Sequence, residues 1–232
     1  MTDASSHDNS TYRRRRERLV QTLRDRGIQD ERVLQAIGAV PRHKFVEPAF
    51  RTRAYADEAL PIGLDQTISQ PFTVAYQTSL LEVEPHDRIL EVGTGSGYQA
   101  AVLCEMEARV FSIERHKPLL TRTKTLLDDL GYSIRTRHGD GTRGWPAFAP
   151  YDGIVVTAAA PNIPDALLTQ LRQPSAPDGT TGGRLVIPVG GRDGQTMTRI
   201  NRTGSGPHDY EREEYHNFRF VPLVEDDKNG DS

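Results

Sequence analysis

Cysteine is nearly absent from this 232-residue sequence, and long apolar runs are absent altogether. Cys104 has no partner for an internal disulfide, which excludes the disulfide-stapled secreted domains and favours a reducing compartment. No stretch approaches the roughly 18 apolar residues of a membrane span, and the polar first residues lack the apolar segment of a secretion signal. We therefore expect a soluble, cytoplasmic protein with no membrane partner.

An excess of positive charge is also missing. The chain has 29 Lys and Arg against 32 Asp and Glu, a net charge of -3, so no overall basic field indicates a nucleic-acid partner. The arginine cluster at 13–16 is better explained as the start of a helix that buries Leu19, Val20 and Leu23 and stops at Gly27. We expect a monomer that binds no nucleic acid.

The length suits a single α/β domain with a substantial core. We expect a disordered lead at 1–11, an N-terminal helical segment at 12–84, an α/β core at 85–224 and a disordered acidic tail at 225–232. The stretch at 173–183 combines Pro and Gly with little to bury, which predicts an exposed loop.

Three glycines interrupt an apolar run at 88–99. The pattern predicts a strand, a tight turn and a helix start, in which Gly93, Gly95 and Gly97 allow positive φ angles and leave room for a ligand. The spacing G-x-G-x-G differs from the dinucleotide fingerprint G-x-G-x-x-G, and no Lys-Ser/Thr pair follows to indicate a P-loop. A plain tight turn and a nucleotide-binding loop both fit the glycines alone.

The residues after the glycines favour nucleotide binding. An Ala-rich helix follows, and a second strand ends in Glu114, at about the distance where dinucleotide-binding folds carry an acid for the ribose hydroxyls. Such a βαβ unit places the acid beside the glycine loop at the carboxyl edge of a parallel sheet, where open α/β sheets bind ligands.

Local patterns predict the remaining elements. Asp30 has the position of an N-cap, Pro41 ends the helix that it opens, and Pro71 suits the first turn of another helix. The stretch from 59 to 70 has loop composition, with enough apolar residues to fold back on the domain. A leucine-rich helix ends at Gly131, and further strands are predicted at 133–138, 151–157, 184–189, 195–202 and 218–224.

The sequence E-V-G-x-G-x-G at 91–97 resembles the first motif of the class I S-adenosylmethionine-dependent methyltransferases. Over roughly 13–224 the chain closely resembles the protein-L-isoaspartate O-methyltransferase family, on the segments 40–46, 59–63, 67–71, 139–141, 151–161, 183–190 and 220–223. The resemblance implies a Rossmann-like fold, with a doubly wound, mostly parallel seven-stranded sheet and an N-terminal helical segment that closes over cofactor and substrate.

The resemblance also implies an activity and its residues. The reaction is methylation of the free α-carboxylate of L-isoaspartyl residues in damaged proteins, with S-adenosyl-L-methionine as cofactor and isoaspartyl proteins and peptides as partners. The implied substrate-binding residues are Val189 and Gly190. The implied cofactor-binding residues are Gln66, Thr67, Ile68, Ser69, Gly93, Thr94, Gly95, Gly97, Glu114, Asp140 and Gly141.

Ser69 is the implied catalytic residue, because its hydroxyl would hydrogen-bond the acceptor carboxylate. From the sequence alone, a turn or helix-cap role just before Pro71 fits this serine equally well. A carboxylate whose ordinary pKa is near 4 is already ionised at neutral pH, so the transfer needs no general base. The scattered histidines lack the spacing of a metal site, and no metal is expected.

Two other functions compete with the repair activity. Relatives of the repair enzyme methylate an aspartate in ribosomally made natural-product peptides, often with an added C-terminal domain, and the short extent of the chain after 220–223 disfavours this interpretation. A nucleotide-binding scaffold without catalysis is the other alternative. Phe72 follows the proline of the Ser69 loop where some family members have a histidine-containing sequence, which leaves the substrate details open.

Overall fold

The computed structural model describes residues 10–175, 182–191, 194–218, 220 and 222–223. The predicted acidic tail and residues 1–9 of the predicted lead lie outside the described residues. Ser10 and Thr11, which the lead was expected to include, already belong to the first helix.

The N-terminal segment contains three helices and a small β-hairpin. Their bounds are α1 Ser10–Asp25, α2 Glu31–Ala39, β1 Leu60–Gly63, β2 Gln66–Ile68 and α3 Pro71–Leu81. The Asp30 carboxylate caps α2 by accepting from the backbone N–H groups of Arg32 and Val33, and Pro71 occupies the first turn of α3. Both predicted helix starts are therefore confirmed.

The core alternates strands with helices until its last three strands. The bounds are β3 Arg88–Val92, α4 Tyr98–Glu105, β4 Arg109–Glu114, α5 Lys117–Asp129, β5 Arg135–His138, β6 Gly153–Val156, α6 Asp165–Leu168, β7 Arg184–Gly191, β8 Gly194–Arg202 and β9 Tyr210–Phe218. None of the described helices is both long and apolar enough to cross a membrane.

The seven core strands form one sheet in the order β5-β4-β3-β6-β7-β8-β9. The five strands from β5 to β7 are parallel, and β8 and β9 complete the sheet as antiparallel neighbours. The chain runs outward from β3 to β4 and β5 and then returns to β6 on the other side of β3, so it reverses its winding there. This is the point in an open α/β sheet where ligands bind.

Helices bury both faces of the central strands, as a mostly parallel sheet requires. On one face Val155 and Val186 belong to a core that also contains Leu34 and Val102 from the helices. On the other face Leu90 packs in a second core with residues of α6. Because the sheet is held on both sides, the loops at its carboxyl edge have a rigid base.

Three local predictions differ from the structure. The stretch predicted as loop from 59 to 70 contains the β1–β2 hairpin. The charged stretch that was predicted as a connection forms strand β9 at 210–218, because an edge strand tolerates charged residues. Of the strand predicted at 218–224, residues 219, 221 and 224 lie outside the described residues. Gly182 and Gly183 of the predicted exposed loop are buried against the backbone of Arg172 and Arg202, whereas 176–181 lie outside the described residues.

Candidate active site

A cleft of about 290 Å³ opens at the carboxyl edge of the sheet, beside β3. Its walls come from the hairpin, the glycine loop, the ends of β4 and β6, and the final described residues. The lining residues are Asp65, Gln66, Thr67, Ile68, Ser69, Val74, Glu91, Val92, Gly93, Thr94, Gly95, Ser96, Tyr98, Gln99, Ile113, Glu114, Arg115, His116, Gly139, Gly141, Thr157, Ala158, Pro222 and Leu223.

The glycine loop needs glycine for two different reasons. At Gly93 φ is +97° and a Cβ would overlap the Thr157 hydroxyl, which donates to the Gly93 carbonyl at 2.7 Å. At Gly97 φ is +86° and a Cβ would lie 2.7 Å from Cγ2 of Thr123 in α5. Gly93 lines the cleft, whereas Gly97 does not line it and instead lets α5 pack closely against the start of α4.

Glu114 ties the end of β4 to the glycine loop. Its Oε2 accepts from the Gly95 N–H at 2.8 Å, and its Oε1 accepts from the His116 N–H at 2.9 Å. The side chain is buried but lines the cleft. A carboxylate has about four acceptor sites, so two remain for ligand hydroxyls.

A second carboxyl group, Glu91, lies fully buried beneath the loop. The Ser112 hydroxyl donates to its Oε2, and Ser112 in turn is 2.6 Å from the Thr94 hydroxyl. Burial raises the pKa of Glu91 to about 8, so the group is mainly protonated at neutral pH. Among the described residues, its Oε1 has no hydrogen-bond partner. The sequence analysis missed Glu91, although it begins the glycine motif.

Ser69 lies in the turn between β2 and α3, in the wall of the same cleft. Its hydroxyl makes no hydrogen bond to the described part of the chain, and Gln70 caps α3 without a side-chain bond. The turn and cap roles that the sequence left open are therefore not observed. The Ser69 carbonyl, by contrast, accepts from Nη2 of Arg42 at 2.8 Å.

Asp140 and Gly141 follow β5 and meet the cleft differently. The Asp140 carboxylate caps its own turn, accepting from the Thr142 N–H at 2.9 Å and the Thr142 hydroxyl at 2.7 Å, and it does not line the cleft. Gly141 does line it, and a Cβ there would overlap Val92.

Val189 and Gly190 lie at the end of β7, outside the lining of this cleft. The Gly190 N–H donates to the Ala160 carbonyl at 2.9 Å, which joins them to the segment after β6. The same segment binds the last described residues, because the Leu223 N–H donates to the Ala159 carbonyl at 2.6 Å. Leu223 was not predicted as a site residue, and no local sequence signal indicates this contact.

The sheet order, the glycine loop after β3 and the acid at the end of β4 define a class I S-adenosylmethionine-dependent methyltransferase. A solved structure described as a protein-L-isoaspartate O-methyltransferase superposes with a TM-score of 0.75 at 26% identity, over 90% of this chain and 66% of that one. Another, from Plasmodium falciparum with bound S-adenosyl-L-homocysteine, has the same TM-score at 23% identity, over 91% and 99%, and shares the fold.

Sequence comparison specifies the family. The family model for protein-L-isoaspartate(D-aspartate) O-methyltransferase matches residues 14–228, and the chain belongs to this family of protein carboxyl methyltransferases. A protein-L-isoaspartate O-methyltransferase of Salinibacter ruber is 74% identical over 98% of this chain and 99% of its own length. One from Christiangramia forsetii is 51% identical over 93% and 98%. The cofactor of this enzyme is S-adenosylmethionine.

Proposed function

We propose that this enzyme methylates the free α-carboxylate of L-isoaspartyl residues in damaged proteins, and that Ser69 positions that carboxylate. The observation that supports the assignment is that Ser69 lines the cofactor cleft while its hydroxyl makes no hydrogen bond to the described residues. A hydroxyl in this position is a free donor for an anionic acceptor.

The proposed chemistry places few demands on the protein. Bound S-adenosylmethionine supplies the methyl group, which passes in line to the carboxylate oxygen as the sulfonium becomes a thioether. The acceptor is already ionised at neutral pH, so the chain has to orient it and exclude water instead of removing a proton. The methyl ester then closes to a succinimide without the enzyme, as the neighbouring backbone amide nitrogen displaces methanol, and hydrolysis returns part of the succinimide to normal aspartate.

The proposed cofactor contacts follow the walls of the cleft. Gly93, Thr94 and Gly95 lie against the methionine end, and the two remaining acceptor sites of Glu114 take the ribose hydroxyls. Gly141 lies beside the adenine. Asp140 lies next to Gly141, and its carboxylate is held by the Thr142 N–H and hydroxyl. The hairpin residues Gln66, Thr67 and Ile68 cover the cofactor, and Gly97 contributes through the shape of the loop.

Val189 and Gly190 are proposed to hold the substrate backbone. They lie outside the cleft but are joined to its wall through Ala160. Main-chain contacts of this kind tolerate varied side chains, as repair of many proteins requires, while they fix the position of the acceptor.

Selectivity between two peptides tests the function. Isoaspartate and aspartate present carboxylates of similar basicity, so only geometry discriminates them, and transfer fails once the reacting atoms leave near-attack distance of about 3–3.5 Å. With tritiated cofactor and paired peptides at pH 7, we expect methylation of the isoaspartyl peptide and hardly any of the aspartyl peptide. Comparable transfer to both would reject the repair function and favour a natural-product peptide methyltransferase.

We further propose that the enzyme works in the cytoplasm as a monomer, without a nucleic-acid partner. The lone Cys104 suits a reducing compartment, and the acidic net charge gives no general attraction for nucleic acid. Light scattering of the purified enzyme at micromolar concentration tests the monomer, since a mass of twice 25.9 kDa would contradict it.

A further inference from the structure

A fully buried arginine lies behind the Ser69 loop. Arg42 follows α2 in a short 3-10 turn and has no exposed surface. Its Nε donates to the Ala54 carbonyl at 2.9 Å, and its Nη2 donates to the carbonyls of Ser69 at 2.8 Å and Glu58 at 3.4 Å. One guanidinium therefore connects the Ser69 loop to two other points of the N-terminal segment.

The same guanidinium also contacts the cofactor side of the cleft. It lies over the ring of Tyr98, 4.6 Å from the ring centre. Tyr98 is the first residue of α4, directly after Gly97, and lines the cleft. Arg42 is thus in contact with both the Ser69 loop and the residue that follows the glycine loop.

The charge of Arg42 is not balanced by a nearby acid. No carboxylate among the described residues lies within ion-pair distance of it, and its Nη1 is buried without a hydrogen-bond partner there. Burial lowers the pKa of Arg42 to about 10, with partial compensation from Tyr98, so it stays protonated at neutral pH. A buried cation without an anion is costly to fold, and an apolar side chain would fill the volume without that cost.

We propose that Arg42 is a positioning residue for methyl transfer, which holds the Ser69 loop at a fixed distance from the glycine loop. The proposal rests on the proposed role of the Ser69 loop as the acceptor site. The rate of a transfer between two bound groups depends steeply on their separation, and a misplacement of about 1 Å costs on the order of a hundredfold. The uncompensated charge beside the Ser69 backbone also attracts an anionic acceptor.

Arg202 provides a matched control at the other end of the sheet. It is 6% exposed, donates to the carbonyls of Gly204 at 3.1 Å and Leu171 at 3.2 Å, and lies over the ring of Tyr210 at 5.5 Å. It ends β8, which runs antiparallel to β7, and so lies at the edge opposite the cleft. Replacing Arg202 therefore removes hydrogen bonds to carbonyls and a cation–π contact, as replacing Arg42 does, but leaves the Ser69 loop unchanged.

The test compares R42K, R42M and R202K with the parental enzyme. Lysine keeps the charge but lacks the planar guanidinium whose separate nitrogens reach the three carbonyls, and methionine keeps only the volume. For R42K we expect kcat on an isoaspartyl peptide to fall about tenfold or more, with S-adenosylhomocysteine affinity within about threefold of parental. R42M should lose more activity than R42K, and R202K should lose comparable thermal stability while keeping the parental kcat.

Two results would overturn the role of Arg42. One is a kcat for folded R42K within about twofold of parental, and the other is an equal loss of kcat in R202K at matched stability. If R42M does not fold, hydrogen exchange in R42K tests whether Arg42 holds the Ser69 loop. The proposal requires the amides at 66–70 to exchange faster than in the parental enzyme and those at 195–202 to exchange at the parental rate. The parental enzyme is assayed first on the isoaspartyl and aspartyl peptides, so a failure of the proposed function is recognised separately.

Discussion

Ser69 is the residue whose proposed role depends most on a hydroxyl that the fold leaves available. Replacing it with alanine should lower kcat on an isoaspartyl peptide by one to two orders of magnitude, about the cost of a 1 Å misplacement, and leave cofactor affinity within a few-fold. Ser79 provides the control, because its hydroxyl only donates to the Ala75 carbonyl within α3. Parental turnover by a folded S69A that binds cofactor would reject the role of Ser69 in positioning the acceptor.

Glu114 combines a structural and a binding role in one carboxylate. Substitution by alanine removes the bonds to Gly95 and His116 together with the proposed bonds to the ribose, whereas glutamine keeps the shape and one acceptor oxygen. Charge-assisted hydrogen bonds contribute about 1.5–3 kcal/mol each, so we expect S-adenosylhomocysteine affinity to fall about tenfold or more in E114A. E114Q should fall between E114A and the parental enzyme. Calorimetry on folded variants measures this, and unchanged affinity in E114A would remove Glu114 from the site.

Glu91 gives the stability a distinctive pH dependence. Its pKa rises from 4.5 in the unfolded chain to about 8 in the fold, so its stabilising contribution is complete below pH 4.5 and is lost as pH rises through 8. Relative to E91Q, the parental free energy of unfolding should fall between pH 5 and 8 by up to about 1.4 kcal/mol per pH unit. Urea unfolding of both proteins across this range measures the difference, and parallel pH profiles would contradict the protonated state.

Among the elements, the β1–β2 hairpin has an unusual tip. Leu64 and Asp65 both have left-handed φ angles, +54° and +55°, in a turn that favours Asn-Gly, and the Leu64 side chain is 51% exposed. Leu64→Asn should therefore increase the free energy of unfolding by about 0.5–1 kcal/mol, because Asn accepts this conformation at lower cost. Thermal unfolding measures it, with the buried Leu60→Asn as a destabilising control. A lower melting temperature for L64N would show that the tip is not strained.

The hairpin also marks the limit of prediction from sequence at the scale of elements. The strands β3, β4 and β6 were predictable because they are covered on both faces and appear as apolar runs. The hairpin was not, because Leu64 and Asp65 stand at the centre of its turn in place of Asn and Gly, and its strands are four and three residues long. The charged edge strand β9 was assigned to a connection for a related reason, since solvent on one side removes the apolar signal.

At the scale of the whole molecule, the sheet order explains which site residues were predictable. Glu114 and the glycine loop belong to one βαβ unit, so their proximity follows from local sequence. Leu223 reaches the cleft through a backbone bond to Ala159, and Arg42 contacts the Ser69 carbonyl, which lies 27 residues further along the chain. Such contacts depend on tertiary packing and have no pattern in the sequence.

The two edge strands of the sheet affect how this enzyme interacts with its protein substrates. β5 has the sequence Arg-Thr-Arg-His, and β9 carries Glu211, Arg212, Glu213 and Glu214, so both outer rims of the sheet are charged. An exposed edge strand has unpaired backbone N–H and C=O groups that can pair with another extended polypeptide, and charged side chains on the strand disfavour such pairing. Damaged, partly opened proteins are rich in extended segments. A repair enzyme with charged edge strands can therefore bind such segments in its cleft without pairing with them along the edges of its sheet.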